Sequence, residues 1–141
     1  MEQTLMLIKP DATGRNAIGA ITAEVENAGF VVRGLRMVRL SKQQAGQFYR
    51  EHTGKVFFDE LLTFMTSGPI VALSLEKDNA IVDLRTLVGA TDSRKADADT
   101  IRGTFGTDNS MNAVHASDSS ASANRETAFF FNQFESFTRE Q

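Results

Sequence analysis

Short apolar runs alternate with amphipathic segments along the chain, and this alternation limits the possible folds more than any other sequence feature. Runs rich in aliphatic and β-branched residues predict four strands, at residues 4–8, 30–40, 70–75 and 112–116. Apolar residues at helical spacing predict helices at residues 16–28, from 42 onward, 57–65, 79–88 and 119–131. Helices therefore separate the strands, and the order contains two β-α-β units around a central connection.

Local signals mark several ends of these elements. Pro10 removes a backbone donor and predicts the exit of the first strand into a turn, and Gly29 lies where a helix C-terminal glycine is expected. Ser41 and Gln44 have the spacing of a capping box, which predicts that a helix begins there. Asp78 is predicted to cap the helix at residues 79–88.

The element order is typical of the ferredoxin-like split β-α-β sandwich, an α+β fold with a four-stranded antiparallel sheet covered by helices. A doubly wound parallel sheet is the competing topology, because both folds alternate strands with helices. A chain of 141 residues is long enough for one hydrophobic core and too short for two. We therefore expect a single domain over residues 1–141.

Composition excludes several classes of function. The chain contains no cysteine, which rules out disulfides, thiolate metal sites and a cysteine nucleophile. The formal net charge of −3 gives no global attraction for nucleic acid or anionic membrane, so any anion site must be built locally. The N-terminus lacks a basic region, and its apolar run at residues 5–8 is too short for a signal or a membrane span. The sequence predicts a cytoplasmic location.

The segment at residues 89–110 is polar, lacks periodicity and is long for a loop in a compact domain, which favours a functional role. Gly103 and Gly106 match the GxxG of a KH nucleic-acid module, but two glycines at that spacing often occur by chance. The chain contains neither a P-loop nor a GxGxxG motif, so bound phosphate must be held by cationic side chains. With two histidines and no HExxH, a zinc hydrolase is disfavoured.

His115 is the strongest candidate for chemistry. It ends a predicted strand among small residues, where the imidazole remains accessible, although a partly buried structural histidine has the same pattern. Glu126 in the next helix could accept a proton from one ring nitrogen, or belong to a solvated helix face. Lys9, Arg85 and Arg102 come from separate segments, so they are either a converging phosphate site or ordinary surface charges.

Several blocks of sequence, spread in order over residues 3–131, resemble the nucleoside diphosphate kinase family. The blocks are Ile8-Lys9-Pro10-Asp11-Ala12, Phe48-Tyr49-Arg50-Glu51-His52, Phe57-Phe58, Phe64-Met65-Thr66-Ser67-Gly68-Pro69, Asn79-Ala80-Ile81, Arg85-Thr86-Leu87-Val88-Gly89-Ala90-Thr91, Thr100-Ile101-Arg102, Asn112-Ala113-Val114-His115, Ser117-Asp118-Ser119 and Arg125-Glu126. The resemblance implies the ferredoxin-like fold and a ping-pong transfer of a terminal phosphoryl group between nucleotides through a phosphohistidine.

The resemblance also implies roles for individual residues. It makes His115 the nucleophile, with Glu126 and Ser117 as hydrogen-bonding neighbours and Tyr49 beside the ring. It implies that Mg²⁺ is bound mainly through the nucleotide phosphates, that ATP, GTP and other nucleotides are substrates, and that the assembly is a homo-oligomer of two, four or six subunits. The residues implied for nucleotide binding are Lys9, Phe57, Arg85, Thr91, Arg102 and Asn112.

The sequence departs from the family pattern at four positions. Ala116 replaces the usual glycine after the histidine, which a strand residue with negative φ can accommodate. Ser93 and Asp99 replace a common proline and glycine, and Thr127 replaces an aliphatic residue. We expect these changes to affect loop rigidity and subunit contacts more than catalysis.

Two alternatives remain open from the sequence. A ferredoxin-like fold also serves RNA- or DNA-binding modules, but the negative net charge and the lack of an RNP-type aromatic motif disfavour that function, and no sequence-specific nucleic acid partner is expected. An inactive family member that serves as an interaction protein is disfavoured because all the expected pocket residues are present.

Overall fold

The computed structural model describes residues 1–137, and four strands and seven α-helices account for most of them. The strands are β1 (Glu2–Ile8), β2 (Val31–Val38), β3 (Ile70–Lys77) and β4 (Val114–Ala116). The helices are α1 (Pro10–Thr13), α2 (Ile18–Asn27), α3 (Lys42–Phe48), α4 (Phe58–Met65), α5 (Ala80–Val88), α6 (Ile101–Phe105) and α7 (Ser120–Phe130). Short 3₁₀ turns cover Arg50–His52 and Ser93–Lys95. No helix within residues 1–137 is long and apolar enough to cross a membrane.

The four strands form one sheet in the order β2-β3-β1-β4, and every neighbouring pair is antiparallel. This arrangement confirms the ferredoxin-like prediction and excludes the doubly wound parallel sheet. The short β4 pairs only with β1, with Leu7 opposite His115. Because directly paired residues point to the same face of a sheet, the register decides on which side the histidine lies.

Helices cover both faces of the sheet, and β1 contributes alternate residues to each core. Met6 and Ile8 belong to a buried cluster that includes Ile21 and Val25 of α2 and Leu84 of α5. On the other face, Leu5 and Leu7 belong to a second cluster, built with residues of and around α3, α4 and α7. His115 therefore faces the second cluster.

The capping box predicted at Ser41 is present. The Ser41 hydroxyl accepts a hydrogen bond from the Gln44 backbone N–H at 3.1 Å, and the Gln44 side chain accepts one from the Ser41 N–H at 2.9 Å. Two N–H groups at the start of α3 are thus satisfied by side chains, which fixes where the helix begins. The same helix ends one residue before Tyr49, so the box also sets the position of that ring.

Three local predictions were wrong. Asp78 does not cap α5: Asn79 occupies the N-cap position with φ of 57°, and no side-chain cap bond forms. Pro10 opens the short helix α1 rather than a simple turn, since proline suits the first helical position. The segment at residues 89–110, which the sequence predicts to be a loop, contains the helix α6. A helix of five residues is too short to show helical periodicity. Its N-cap residue is Thr100, whose side chain accepts a hydrogen bond from the Gly103 N–H.

We predict that Ser41→Ala lowers the free energy of unfolding by about 1 kcal/mol, because the substitution removes one half of the capping box. Urea unfolding followed by circular dichroism measures this loss. Gln43→Ala is the matched control, since Gln43 is exposed on the same helix and alanine is a good helix former. An equal stability change in both variants would contradict the capping role of Ser41.

Candidate active site

His115 lies on β4 and is held from one side by Glu126 of α7. Its Nε2 is 2.7 Å from Glu126 Oε1, and the Ser117 hydroxyl donates to the same oxygen at 2.8 Å. The Glu126 side chain is 4% exposed, whereas that of His115 is 21% exposed. Because a carboxylate only accepts hydrogen bonds, Nε2 carries the proton, and in the neutral ring Nδ1 keeps its lone pair.

Glu126 is buried and ionised. Burial favours the neutral acid, but the hydrogen bonds from His115 and Ser117 and the positive charge of Arg125 outweigh it, so the pKa of Glu126 lies below its usual value. The group is therefore a carboxylate at neutral pH. Its negative charge can stabilise positive charge on the imidazole ring.

Two aromatic rings pack edge-on against the imidazole. The Phe48 and His115 ring centroids are 5.4 Å apart at 72°, and those of Tyr49 and His115 are 6.1 Å apart at 89°. Burial, with the negative charges of Glu126 and Glu51, raises the pKa of Tyr49 well above its usual value. Its hydroxyl is thus a neutral donor, and it has no hydrogen-bond partner among residues 1–137. The hydroxyl itself is buried, although the residue borders the same space as the imidazole.

A chain of hydrogen bonds holds Lys9 beside the histidine strand. Lys9 Nζ donates to Asn112 Oδ1 at 2.8 Å, and Asn112 Nδ2 donates to the Thr91 carbonyl at 2.9 Å. Burial, followed by the nearby charge of Arg102, lowers the pKa of Lys9 to about 8. The Asp11 carboxylate offsets this unfavourable environment only in part, so a further anion beside Lys9 and Arg102 would stabilise the ammonium, which makes this corner a suitable phosphate site.

Arg102 is fixed by backbone carbonyls. It donates to the Gly89 carbonyl at 3.2 Å and to the Val114 carbonyl at 3.0 Å, while its Nε has no partner among residues 1–137. Burial, followed by the charge of Arg85, lowers the pKa of Arg102 to about 10, so it remains cationic at neutral pH. Arg85 itself donates to the Ala116 carbonyl at 3.4 Å. Both guanidinium groups therefore donate to backbone carbonyls of β4.

These side chains border one cleft of about 510 Å³. Of the residues predicted from the sequence, Lys9, Tyr49, Phe57, Thr91, Arg102, Asn112 and His115 line it. Glu126 and Ser117 support His115 from behind, and Arg85 lies against the β4 backbone. Apolar residues of and beside α4, including Leu61 and Phe64, form part of the lining. The cleft thus combines a cationic region with an apolar one, as nucleotide binding requires.

Phe57 lies at the mouth of the cleft rather than in the core. It precedes α4 as its N-cap residue, and 46% of its surface is exposed. Its ring lies 5.3 Å from that of His52, and Lys55 Nζ is 5.7 Å from its centroid. The neighbouring Phe58 instead packs against the buried cluster around Phe48. An exposed aromatic face on a cleft is suited to stacking against a planar ligand.

The sequence reasoning assigned no role to two polar residues that support the site. Asp11 Oδ2 accepts from the Ala113 N–H at 3.0 Å, and it thereby holds Ala113 at φ of 73°. Arg125 places a guanidinium nitrogen 3.7 Å from Glu126 Oε2. A left-handed alanine has no sequence signature, and neighbouring residues on a helix do not ordinarily face each other, so neither contact could be predicted from the sequence.

The departures and the KH-like glycines have structural explanations. Ala116 lies in β4 without positive φ, as expected. Ser93 and Thr127 are buried, and their hydroxyls have no hydrogen-bond partner among residues 1–137, so both substitutions cost stability. A side chain on Gly103 would collide with the Asp97 carbonyl, and one on Gly106 with Ser93. Close packing explains these two glycines without a nucleic acid.

No group of three or more histidine, aspartate or glutamate side chains within residues 1–137 is placed to hold a metal ion.

Comparison with known proteins gives a consistent result. The family model for nucleoside diphosphate kinase matches residues 2–136. A nucleoside diphosphate kinase from Pasteurella multocida is 51% identical over 137 residues, which cover 97% of this chain and 99% of the relative. The solved Aquifex aeolicus nucleoside diphosphate kinase superposes with a TM-score of 0.94 at 44% identity, covering 96% of this chain and 99% of the other. The Halobacterium salinarum nucleoside diphosphate kinase, solved in complex with CDP, superposes with a TM-score of 0.96 at 37% identity, covering 99% of this chain and 93% of the other.

We predict that Lys9 makes stability depend on pH between about 8 and 10.5. Because its pKa is about 8 in the folded protein, against an ordinary value of 10.5, the unfolded chain binds the proton more tightly, so protonation at low pH opposes folding. Relative to Lys9→Met, the wild-type free energy of unfolding should therefore rise by about 3 kcal/mol across this interval.

Urea unfolding at a series of pH values, without added anions, measures this difference. Taking the difference from Lys9→Met cancels the titration of the other groups. A difference that stays constant between pH 7 and pH 10.5 would show that Lys9 titrates normally.

Proposed function

The chain belongs to the nucleoside diphosphate kinase family, and from that premise we propose which of its residues carry the reaction. Enzymes of this family move the terminal phosphoryl group of a nucleoside triphosphate to a nucleoside diphosphate through a phosphohistidine. We propose that His115 is this histidine. The observation that carries the proposal is the bond between Nε2 and Glu126, which leaves Nδ1 as the nitrogen with a free lone pair.

In the first half-reaction, the Nδ1 lone pair attacks the terminal phosphorus, and the bond from that phosphorus to the bridging oxygen breaks. The diphosphate leaves with the bonding electron pair, and the ring becomes positively charged. Glu126 stabilises this charge across the 2.7 Å bond to Nε2–H, which stays in place throughout. In the second half-reaction, a terminal oxygen of another diphosphate attacks the phosphorus, the P–N bond breaks, and neutral His115 is restored.

Ser117 and Tyr49 act as supporting groups in this proposal. The Ser117 hydroxyl holds Glu126 Oε1 at 2.8 Å, so the acceptor of the His115 proton is fixed before the nucleotide binds. Tyr49 stays neutral and offers its hydroxyl beside the imidazole. Both groups reduce the reorganisation needed during transfer.

The cations Lys9, Arg85 and Arg102 neutralise phosphate charge, and the polar residues Thr91 and Asn112 complete the pocket. Phosphoryl transfer depends mainly on alignment and charge stabilisation, so a glycine-rich loop is not required. Burial lowers the pKa of Lys9 to about 8 and that of Arg102 to about 10, which favours an anion bound beside both. Lys9 and Asn112, which share a hydrogen bond of 2.8 Å, are also proposed to bind the ribose hydroxyls.

We also propose that Mg²⁺ enters with the nucleotide. In this proposal the ion is bound mainly through the substrate phosphates, as Mg²⁺ usually is in phosphoryl-transfer sites. Bound there, Mg²⁺ would supply further charge neutralisation to the cationic side of the cleft.

Phe57 is proposed to stack on the nucleotide base. An exposed ring offers a π-face that every base can use, and stacking gives no hydrogen-bond pattern that separates guanine from adenine. ATP, GTP and other nucleotides are therefore proposed substrates. The CDP bound by the Halobacterium salinarum relative supports a pyrimidine base in such a cleft.

Residues 1–141 are proposed to act as one catalytic domain, in the cytoplasm and as a homo-oligomer of two, four or six subunits. The family model covers nearly all of this range. The outer strand β2 exposes the apolar side chains of Leu35 and Met37, each 54% accessible, and exposed apolar surface favours contact with another subunit.

We predict that His115→Ala abolishes nucleotide exchange in a protein that remains folded. Incubation with γ-labelled ATP should yield an acid-labile, alkali-stable phosphoprotein from the wild type and none from the variant. His52→Ala, which removes the only other histidine, should still be labelled. Substantial turnover by folded His115→Ala would refute the assignment.

We predict that Phe57→Ala raises the Michaelis constants for ATP, GTP and CTP alike, by a free energy of about 1 to 3 kcal/mol for the lost stacking. Because the ring is half exposed, the melting temperature should change little. Phe58→Ala is the matched control: it should lower stability through lost core packing and leave the three constants nearly unchanged. Unchanged constants in a destabilised Phe57→Ala protein would contradict stacking.

A further inference from the structure

Arg125 contacts the buried carboxylate from the side away from the histidine. Glu126 gives Oε1 to both His115 and Ser117, whereas Oε2 lies 3.7 Å from a terminal nitrogen of Arg125. Each carboxylate oxygen therefore has its own set of partners. Hydrogen bonds hold Oε1, and the ion pair with Arg125 attracts Oε2 to the other side, so both favour the orientation in which Oε1 faces the ring.

Arg125 also touches the aromatic neighbour of the imidazole. Its other terminal nitrogen donates to the Phe48 carbonyl at 3.2 Å, and the guanidinium carbon lies 5.8 Å from the centre of the Phe48 ring. The Phe48 ring in turn packs edge-on against His115 at 5.4 Å. Arg125 thus contacts two of the residues that pack against the histidine, Glu126 and Phe48, although it does not itself line the cleft.

The remaining contact of Arg125 is of a different kind. Glu51 Oε2 lies 3.3 Å from the same nitrogen that faces Glu126, but the Glu51 side chain is 51% exposed. An exposed ion pair, such as that with Glu51, contributes little to stability because water screens it. The Glu126 carboxylate is only 4% exposed, so water screens its charge weakly. The interaction with Glu126 is therefore the one with consequences for the site. The other groups that face Glu126 are His115, Ser117 and Tyr49.

We propose that Arg125 is a positioning residue for phosphoryl transfer, which holds Glu126 so that Oε1 meets His115 Nε2–H and Nδ1 stays the nucleophile. This inference rests on the proposed role of His115. It assigns Arg125 an effect on the chemical step rather than on nucleotide binding, because the side chain acts through Glu126 and Phe48. A purely structural role, tying α7 to α3, would change stability and leave the tautomer of His115 unaltered.

The test compares Arg125→Met, which keeps the apolar stem on Phe48, with Arg125→Lys, which keeps the charge. Single-turnover phosphorylation by ATP gives the rate, steady-state kinetics give the Michaelis constants, and ¹⁵N NMR of the imidazole reports the tautomer of His115. Glu51→Gln is the matched control, since it removes the other anion partner of Arg125 without touching Glu126. Melting temperatures verify folding, and Arg125→Gln replaces Arg125→Met if the latter unfolds.

We expect Arg125→Met to slow phosphorylation by about 10-fold, near the lower end of the effects seen when the hydrogen-bonding partners of metal-ligating residues are removed. In Arg125→Met the Michaelis constants should stay near the wild-type values, and the His115 resonances should show a mixture of tautomers. Arg125→Lys should be phosphorylated at nearly the wild-type rate. Glu51→Gln should behave like the wild type.

The inference would be overturned if Arg125→Met were phosphorylated at the wild-type rate and kept the wild-type tautomer of His115. It would also be overturned if Arg125→Lys were phosphorylated as slowly as Arg125→Met. His115→Ala run in the same assay separates the two claims. If His115→Ala is not labelled while Arg125→Met reacts at the wild-type rate, only the role of Arg125 fails. If folded His115→Ala is still labelled, the proposed function fails instead.

Discussion

The antiparallel pairing of β4 with β1 is the constraint on which the rest of the site depends. Three paired residues place His115 opposite Leu7, on the sheet face covered by α3, α4 and α7. A shift of one residue would turn the imidazole into the opposite core, away from Glu126 and the cleft. The pairing is protected by the turn before it, where Ala113 donates to Asp11 and accepts from the Lys9 backbone N–H. The register that pairs β4 with β1 therefore also places His115 beside Glu126.

The cleft combines two kinds of unfavourable burial that a nucleotide can relieve. Lys9 and Arg102 lie close together with lowered pKa values, and the hydroxyl of Tyr49 is buried without a partner among residues 1–137. Each of these groups lowers the stability of the empty protein. At the proposed site, a polyphosphate would supply negative charge to these cations, so part of its binding energy would come from relieving this cost. Fold stability and ligand affinity are in this way linked at the same residues.

The sequence predicted the fold where physical signals are strong and local. The alternation of apolar runs and helical segments was sufficient for all four strands, and the capping box at Ser41 was confirmed. The element order left two sheet topologies open, and only the resemblance favoured the antiparallel one. The wrong prediction at Asp78 arose because Asn79 adopts a left-handed conformation, which asparagine tolerates but does not require. Convergence of Lys9, Arg102 and His115 depends on tertiary packing, so the residues alone could not show it. The resemblance supplied that step, and the contacts of Asp11 and Arg125 became visible only in three dimensions.

The central claim is that the bond between His115 and Glu126 determines which nitrogen accepts the phosphoryl group. The most direct measurement is NMR of the phosphoprotein, uniformly labelled with ¹⁵N and formed from ATP at neutral pH, with detection of the ³¹P–¹⁵N coupling. The account predicts a single phosphohistidine whose phosphorus is bonded to Nδ1 of His115, with Nε2 still protonated. Phosphorus on Nε2, or on any other residue, would contradict it.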